Sequence, residues 1–184
     1  MSAFSCFVFI TLFLNIHTGS FAQLIDRSSA DNHSIASIEE RIVLLGDECW
    51  RWRTINADTA LKFGLEALAL ARENNIIQPI PRISNYVGAI YLVYLYNSES
   101  AIPYFHQALE TSLLVNDSLE LGFGYINLGT AFMFTGNVPL ALQYNENSLN
   151  IFKEINNPRG IAYSYINMGL VNRLDKKYDL SLSI

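Results

Sequence analysis

The stretch "GYINLG", residues 124–129, recurs forty residues later as "SYINMG", residues 164–169. Segments 117–144 and 157–184 align around this stretch without a gap. Their shared residues are Tyr125, Ile126, Asn127, Gly129, Leu140 and Leu142, which recur as Tyr165, Ile166, Asn167, Gly169, Leu180 and Leu182. A fixed period of about 20 to 50 residues is typical of a solenoid, in which each unit covers the apolar face of its neighbour.

The same period continues towards the N-terminus. Ala141, Tyr144 and Leu149 have counterparts forty residues earlier in Ala101, Tyr104 and Leu109, and these match Ala60, Phe63 and Leu68 at a spacing of forty-one. The chain from residue 34 therefore divides into four units, the last one incomplete. Their approximate bounds are 34–76, 77–116, 117–156 and 157–184.

The hydrophobic pattern predicts an all-α fold. Apolar residues recur at intervals of three and four in "IASIEERIVLL" and "ALKFGLEALALA", and no stretch alternates as a strand would. Helix starts are indicated by Pro81, by Asp117 followed by Glu120, and by the pair Asn157-Pro158. The predicted helices are 34–52, 57–74, 81–95, 99–115, 118–134, 138–154, 158–173 and 177 to the end.

Three glycines lie in the middle of predicted helices, where Gly is about 1 kcal/mol less favourable than Ala. They are Gly88, Gly129 and Gly169. A small residue follows each glycine twelve or thirteen positions later, and the first unit has a small residue at the matching place. These small residues are Ala101, Ala141 and Ser181, with Ala60 in the first unit. The spacing predicts that the two helices of a unit approach closely at these positions.

The order of aromatic and small residues resembles the tetratricopeptide repeat. In the third unit it reads Tyr125, Leu128, Gly129, Phe132, Ala141 and Tyr144, and in the second it reads Val87, Gly88, Tyr91, Ala101, Phe105 and Ala108. The resemblance implies a right-handed α-solenoid of antiparallel helix pairs. The period here exceeds the family's usual period of about 34 residues, which implies helices extended by about a turn.

In that family the first helices of the pairs line a groove that binds a peptide or a partner helix. The phase set by the glycines predicts the residues that face this groove: Arg82, Asn85, Leu92, Phe123, Ile126, Thr130, Met133, Tyr163, Ile166, Leu170 and Arg173. Most of these side chains are apolar, which favours a hydrophobic segment or helix over a C-terminal carboxylate. The alternative interpretation is that these side chains pack between neighbouring repeats.

Composition argues against a nucleic-acid partner. The 184 residues carry a net charge of −5, whereas binding to phosphates favours a basic surface. The segment "CWRWR", residues 49–53, mixes aromatic and cationic side chains. We interpret it as a helix end, with Trp50 packed inside and Arg51 and Arg53 near the negative end of the helix dipole.

The N-terminus resembles a signal peptide. Residues 1–22 contain no Lys, Arg, Asp or Glu, and their apolar run of about a dozen residues is too short to span a bilayer. Ser20-Phe21-Ala22 predicts cleavage after Ala22, and residues 23–33 are polar and predicted to be flexible. We therefore expect export to the periplasm or the outer face of a membrane. A buried N-terminal helix is the alternative interpretation.

Catalytic patterns are lacking in the sequence. There is no glycine-rich phosphate loop after a strand, no zinc-type spacing of Cys and His, and no triad that His33 and His106 could complete. We expect no enzyme activity, cofactor or metal within these residues. After cleavage only Cys49 would remain of the two cysteines, so no internal disulfide could form.

Two functions are compatible with an exported repeat domain. One is the extracytoplasmic input part of a bacterial sensor, with a membrane helix and an output domain such as a histidine kinase beyond Ile184. The other is a stand-alone periplasmic adaptor. The final unit stops where its second helix should continue, which predicts a longer protein, and in both cases the expected partner is a protein or peptide.

Overall fold

The computed structural model describes residues 37–182, and the side chains as far as Leu174. This part of the chain is helical and contains no strand. Its helices are α1 (Ile38–Trp52), α2 (Ala57–Glu73), α3 (Ile80–Ala89), α4 (Ser98–Val115), α5 (Ser118–Phe134), α6 (Val138–Glu154) and α7 (Pro158–Leu182). The predicted all-α fold is confirmed, whereas the predicted signal peptide and polar segment lie outside the described residues.

Polar side chains cap the starts of the helices. Ser37 forms a capping box with Glu40 at the start of α1, because its hydroxyl accepts from the Glu40 amide while the Glu40 carboxylate accepts from the Ser37 amide. Elsewhere a side-chain oxygen accepts from the backbone amide three residues later. These capping residues are Asn56, Asn97, Asp117, Asn137 and Asn157. The start predicted at Asp117 is confirmed.

Left-handed asparagines end three of the helices. Asn75, Asn116 and Asn156 have φ values of 56°, 56° and 52°. Asn tolerates this conformation better than most residues, so the chain can reverse directly after the helix. Each of the three lies at or next to the end of a predicted unit.

The third helix changes geometry near its end. Residues Ile90–Tyr94 form a π turn, in which the Leu95 amide donates to the Ile90 carbonyl oxygen at 3.2 Å. Sequence periodicity predicted a plain helix over 81–95. The extra residue in the turn leaves Tyr91 stacked on Tyr104 of α4, with ring centroids 5.6 Å apart.

Consecutive helices pack in antiparallel pairs. Along α5 and α6, Phe132 stacks on Tyr144, whereas ten residues earlier Gly122 accepts a hydrogen bond from Ser148. The first helices of the pairs also contact one another in sequence, α1 with α3, α3 with α5 and α5 with α7. In the described residues the backbones of α2, α4 and α6 do not approach one another in the same way, and these helices touch through long side chains, as where Arg72 donates to Gln107 at 3.0 Å. The first helices therefore form one continuous face, which we call the first-helix face.

The last helix differs from the prediction. Our sequence analysis placed a turn at 175–177 and a separate helix from 177, but α7 runs unbroken from Pro158 to Leu182. The corresponding turn of the third unit is Thr135-Gly136-Asn137, in which Gly136 has φ 79° and Asn137 caps α6. At a spacing of forty, Lys176 and Lys177 stand in the places of Gly136 and Asn137, so the glycine and the cap are both missing and the helix continues.

The glycines show that close packing was predicted correctly at two positions of three. A Cβ at Gly88 would overlap the ring of Phe105, and one at Gly129 would overlap Asn145 and lie 3.1 Å from the Ala141 carbonyl oxygen. No described atom lies within 4 Å of a Cβ built at Gly169, because the expected second helix does not fold back there. Ala60, Ala101 and Ala141 are fully buried at the helix contacts.

The buried apolar side chains of the described residues form two groups. One group of buried side chains joins α1, α2 and α3, and a second joins the end of α3 to α4 and α5. Phe105 and Phe152 are the largest fully buried side chains in the described part. Within that part, none of the helices combines the length and hydrophobicity that crossing a membrane requires.

Candidate binding face

A buried carboxylate lies where α3 meets α5. The Asn85 amide group donates to both the carbonyl oxygen and the Oε2 of Glu120, each at 3.0 Å. Arg82 Nε donates to Glu120 Oε1 at 3.3 Å. Two predicted groove residues, Arg82 and Asn85, are thus brought together by Glu120, which sequence reasoning had used only as a marker of a helix start.

Burial shifts the protonation equilibrium of the Glu120 carboxyl. Glu120 is 7% exposed, and desolvation raises the pKa of its carboxyl above the usual value, although the Asn85 hydrogen bond and the Arg82 charge act in the opposite direction. Asn85 is itself 4% exposed. Asn85 therefore joins two helices instead of presenting an amide to a ligand.

The repeated asparagine has the same role in both copies of the opening motif. Asn127 donates to Asn85 Oδ1 on α3 at 3.3 Å, and Asn167 donates to Thr130 Oγ1 on α5 at 3.1 Å. The Thr130 hydroxyl in turn donates to the Ile126 carbonyl oxygen at 2.9 Å. Each Asn thus ties its first helix to the preceding first helix. The recurrence of Asn127 at 167 was the signal that could have revealed this role.

The apolar residues predicted for the groove fall into two groups. Leu92 is buried in the core with Phe105, which differs from its predicted place in an open groove. Phe123 packs edge-to-face on Phe152 of α6, with centroids 5.3 Å apart. The accessible members of the set are Ile126, Met133, Tyr163 and Leu170, which are half-buried, and Ile166 and Arg173, which are exposed. These six residues belong to α5 and α7, whereas Arg82, which is also exposed, lies on α3 and bonds to Glu120.

A concave feature lies near the start of the first-helix face. A cleft of about 440 Å³ opens between α1, the connection from α2 to α3, and α3 itself. Its apolar lining includes Val43, Ile76, Pro79 and Ile83, with the side of the Tyr86 ring. Sequence analysis placed only Arg82 near it, because the residues that form it come from α1, the connection, α3 and the start of α5.

The segment at 49–53 closes against the neighbouring pair of helices. Trp50 stacks on Tyr86 with ring centroids 4.5 Å apart, and the Arg53 guanidinium lies 4.0 Å from the centre of the Trp50 ring. Arg53 is 4% exposed and also donates to the Trp50 carbonyl oxygen. Arg51 and Trp52 both donate to Glu48 Oε2, so the polar groups of the segment are bonded within the protein, in agreement with the interpretation as a helix end.

The described residues hold no group of three or more His, Cys, Asp or Glu side chains that could bind a metal ion. The sequence comparisons give no family for the chain. No protein-family model matches it, and none of the curated proteins matches it in sequence.

Proposed function

We propose that this chain is a protein-binding module of the tetratricopeptide type, an α-solenoid that captures a peptide or a partner helix on its first-helix face. The observation that carries the proposal is that the backbones of α1, α3, α5 and α7 pack side by side, whereas the second helices lie further apart and touch through long side chains. Such packing favours a concave first-helix face, and concave faces are the binding surfaces of solenoid proteins.

The accessible apolar residues support this use of the face. Ile166 on α7 is 50% exposed, and Ile126, its counterpart on α5 in the third unit, is half-buried. The polar contacts beneath them, from Asn127 and Asn167, hold the first helices in place. A partner that binds there buries apolar side chains on a pre-organised surface, which limits the entropy lost on binding.

A photo-crosslinking amino acid at position 166 tests the proposal in cells that produce the protein. We expect it to capture a defined partner, and Ile126→Glu with Ile166→Glu to abolish capture without changing the helical circular dichroism spectrum. Leu113→Glu with Leu114→Glu is the matched control, because both leucines are exposed at the end of α4, a second helix. Capture that survives the Ile126 and Ile166 changes would refute the proposal.

We further propose that the module works after export, as the input part of a sensor or as a stand-alone adaptor. Support comes from the uncharged residues 1–22 and the small residues that end them. The N-terminal sequence of the exported protein should begin at Gln23. Met1 retained on the protein in the cytoplasm would show that export is wrong.

A further inference from the structure

The cleft between α1 and α3 combines an apolar base with an acidic rim. Glu39 and Asp47 of α1 and Asp117 at the start of α5 line it, together with the apolar residues Val43 and Ile83. Val43 is 48% exposed, so an apolar surface remains open to a ligand. The base can bury hydrophobic groups while the rim selects for charge.

One cation lies among the lining residues, and its charge is already engaged. Arg82 bonds to Glu120 through Nε at 3.3 Å, so its attraction for an incoming anion is reduced. In the described part of the chain no ion pair within 4.0 Å holds Glu39, Asp47 or Asp117, although Asp47 lies close enough to Arg82 for their charges to interact. Asp117 Oδ1 accepts from the Glu120 amide, which fixes that carboxylate at the edge of the cleft.

The balance of charge in the cleft determines which charged group of a peptide can bind there. Three carboxylates around one paired guanidinium repel a C-terminal carboxylate or an acidic side chain. They attract an ammonium or guanidinium group, whose alkyl stem can lie along Val43 and Ile83. A site for a C-terminal carboxylate would need the opposite, positive charge. The preference for a cation therefore follows from charge complementarity.

We propose that the cleft binds a Lys or Arg side chain flanked by apolar residues in a partner peptide. The inference rests on the proposed function and specifies the chemistry of the partner. The cation would lie between Asp47 and Asp117, and its apolar neighbours would cover Val43 and the adjoining surface of α3.

The test uses the full chain and short synthetic peptide libraries whose central residue is Lys, Gln or Glu and whose other positions are drawn from Ala, Ser, Leu and Val. We expect the immobilised protein to retain Lys peptides over Gln peptides by about fivefold, as one partly exposed ion pair allows. Glu peptides should bind most weakly. The preference should decline as the salt concentration rises, because the rim is open to solvent.

Asp47→Asn should remove most of the preference for Lys, whereas Asp58→Asn should leave it unchanged, since Asp58 is exposed in the first turn of α2 outside the cleft. Circular dichroism verifies that both variants fold. Equal retention of the three libraries, no retention of any of them, or equal effects of the two substitutions would overturn the inference. The proposed function has a separate readout, the crosslink from position 166 on α7, so the two can fail independently.

Discussion

A single carboxylate, that of Glu120, couples the second and third helix pairs through Asn85 and Arg82. It adds a charged group to the polar contacts that join the helices, among them those of Asn127 and Asn167. Since Asn85 and Glu120 both have little access to water, removing either one leaves the other without a partner, which costs more than an ordinary surface contact; Arg82 remains open to solvent. The protonation of the Glu120 carboxyl therefore makes the stability of the fold depend on pH.

The raised pKa of Glu120 predicts how stability depends on pH. Between its ordinary value of 4.5 and the raised value, the folded chain holds a proton that the unfolded chain has released. The contribution of Glu120 to the free energy of unfolding is therefore largest at low pH and declines as pH rises through that window. Urea titrations from about pH 4 to 7 should show this component in the wild type and not in Glu120→Gln. Parallel pH curves for the two proteins would contradict it.

Burial also predicts that Cys49 is unreactive. Its side chain is inaccessible, and desolvation raises the pKa of the thiol to about 12, so the thiolate is scarce at neutral pH. In a Cys6→Ser variant we expect a thiol-reactive dye to label no cysteine in native buffer and one cysteine per chain in urea. Rapid stoichiometric labelling of the native protein would show that Cys49 is accessible.

At the scale of the element, two similar glycines have different surroundings. Gly129 is packed against Asn145 and the Ala141 backbone, whereas Gly169 faces no described atom within 4 Å. Both lie inside helices, so the intrinsic advantage of Ala is the same at each. The difference between them isolates the effect of packing from that of helix propensity.

We predict that Gly129→Ala lowers the free energy of unfolding by about 1 to 3 kcal/mol, because the added methyl group overpacks the contact of α5 with α6. Gly169→Ala should raise it by about 0.4 to 1 kcal/mol through helix propensity. Urea denaturation of the two variants measures both changes. Equal changes at the two positions would mean that helix propensity alone sets their effects.

At the scale of the whole molecule, the contacts run between neighbours along the stack. The core groups and the asparagine bonds each connect adjacent helix pairs, as expected of an array whose stability is a sum of units and interfaces. The substitution of one residue should therefore destabilise mainly the helices that it contacts. The extent of the destabilised region can be measured helix by helix.

Asn167→Ala removes the bond to Thr130, and we expect it to cost about 1 kcal/mol at the contact of α5 with α7. Hydrogen exchange measured by mass spectrometry should accelerate in α7 and the adjoining part of α5. Exchange in α1 and α2 should remain at the wild-type rate. Uniform acceleration across the described helices would indicate a single cooperative unit instead of an array.

Local features of the fold could be predicted from the sequence because short-range chemistry sets them. The helices, the cap at Asp117, and the close approach at Gly88 and Gly129 follow from spacing and residue type. The continuous α7 was missed because residues 175–177 were interpreted as a turn by analogy with residues 135–137. The earlier segment has a glycine and a capping asparagine, and the later segment has lysines in their places. The π turn at Ile90–Tyr94 left no mark in the hydrophobic period.

The sequence by itself determined that this chain is helical and repetitive, since both properties depend on residues a few positions, or one period, apart. Only the tertiary structure decided which polar and apolar side chains stay accessible. Asn85, Leu92 and Thr130 share the predicted groove phase with Ile166, yet they are buried and Ile166 is exposed. The physical reason is that exposure depends on what the neighbouring helix covers, and so does the pairing of Glu120 with Arg82 across thirty-eight residues.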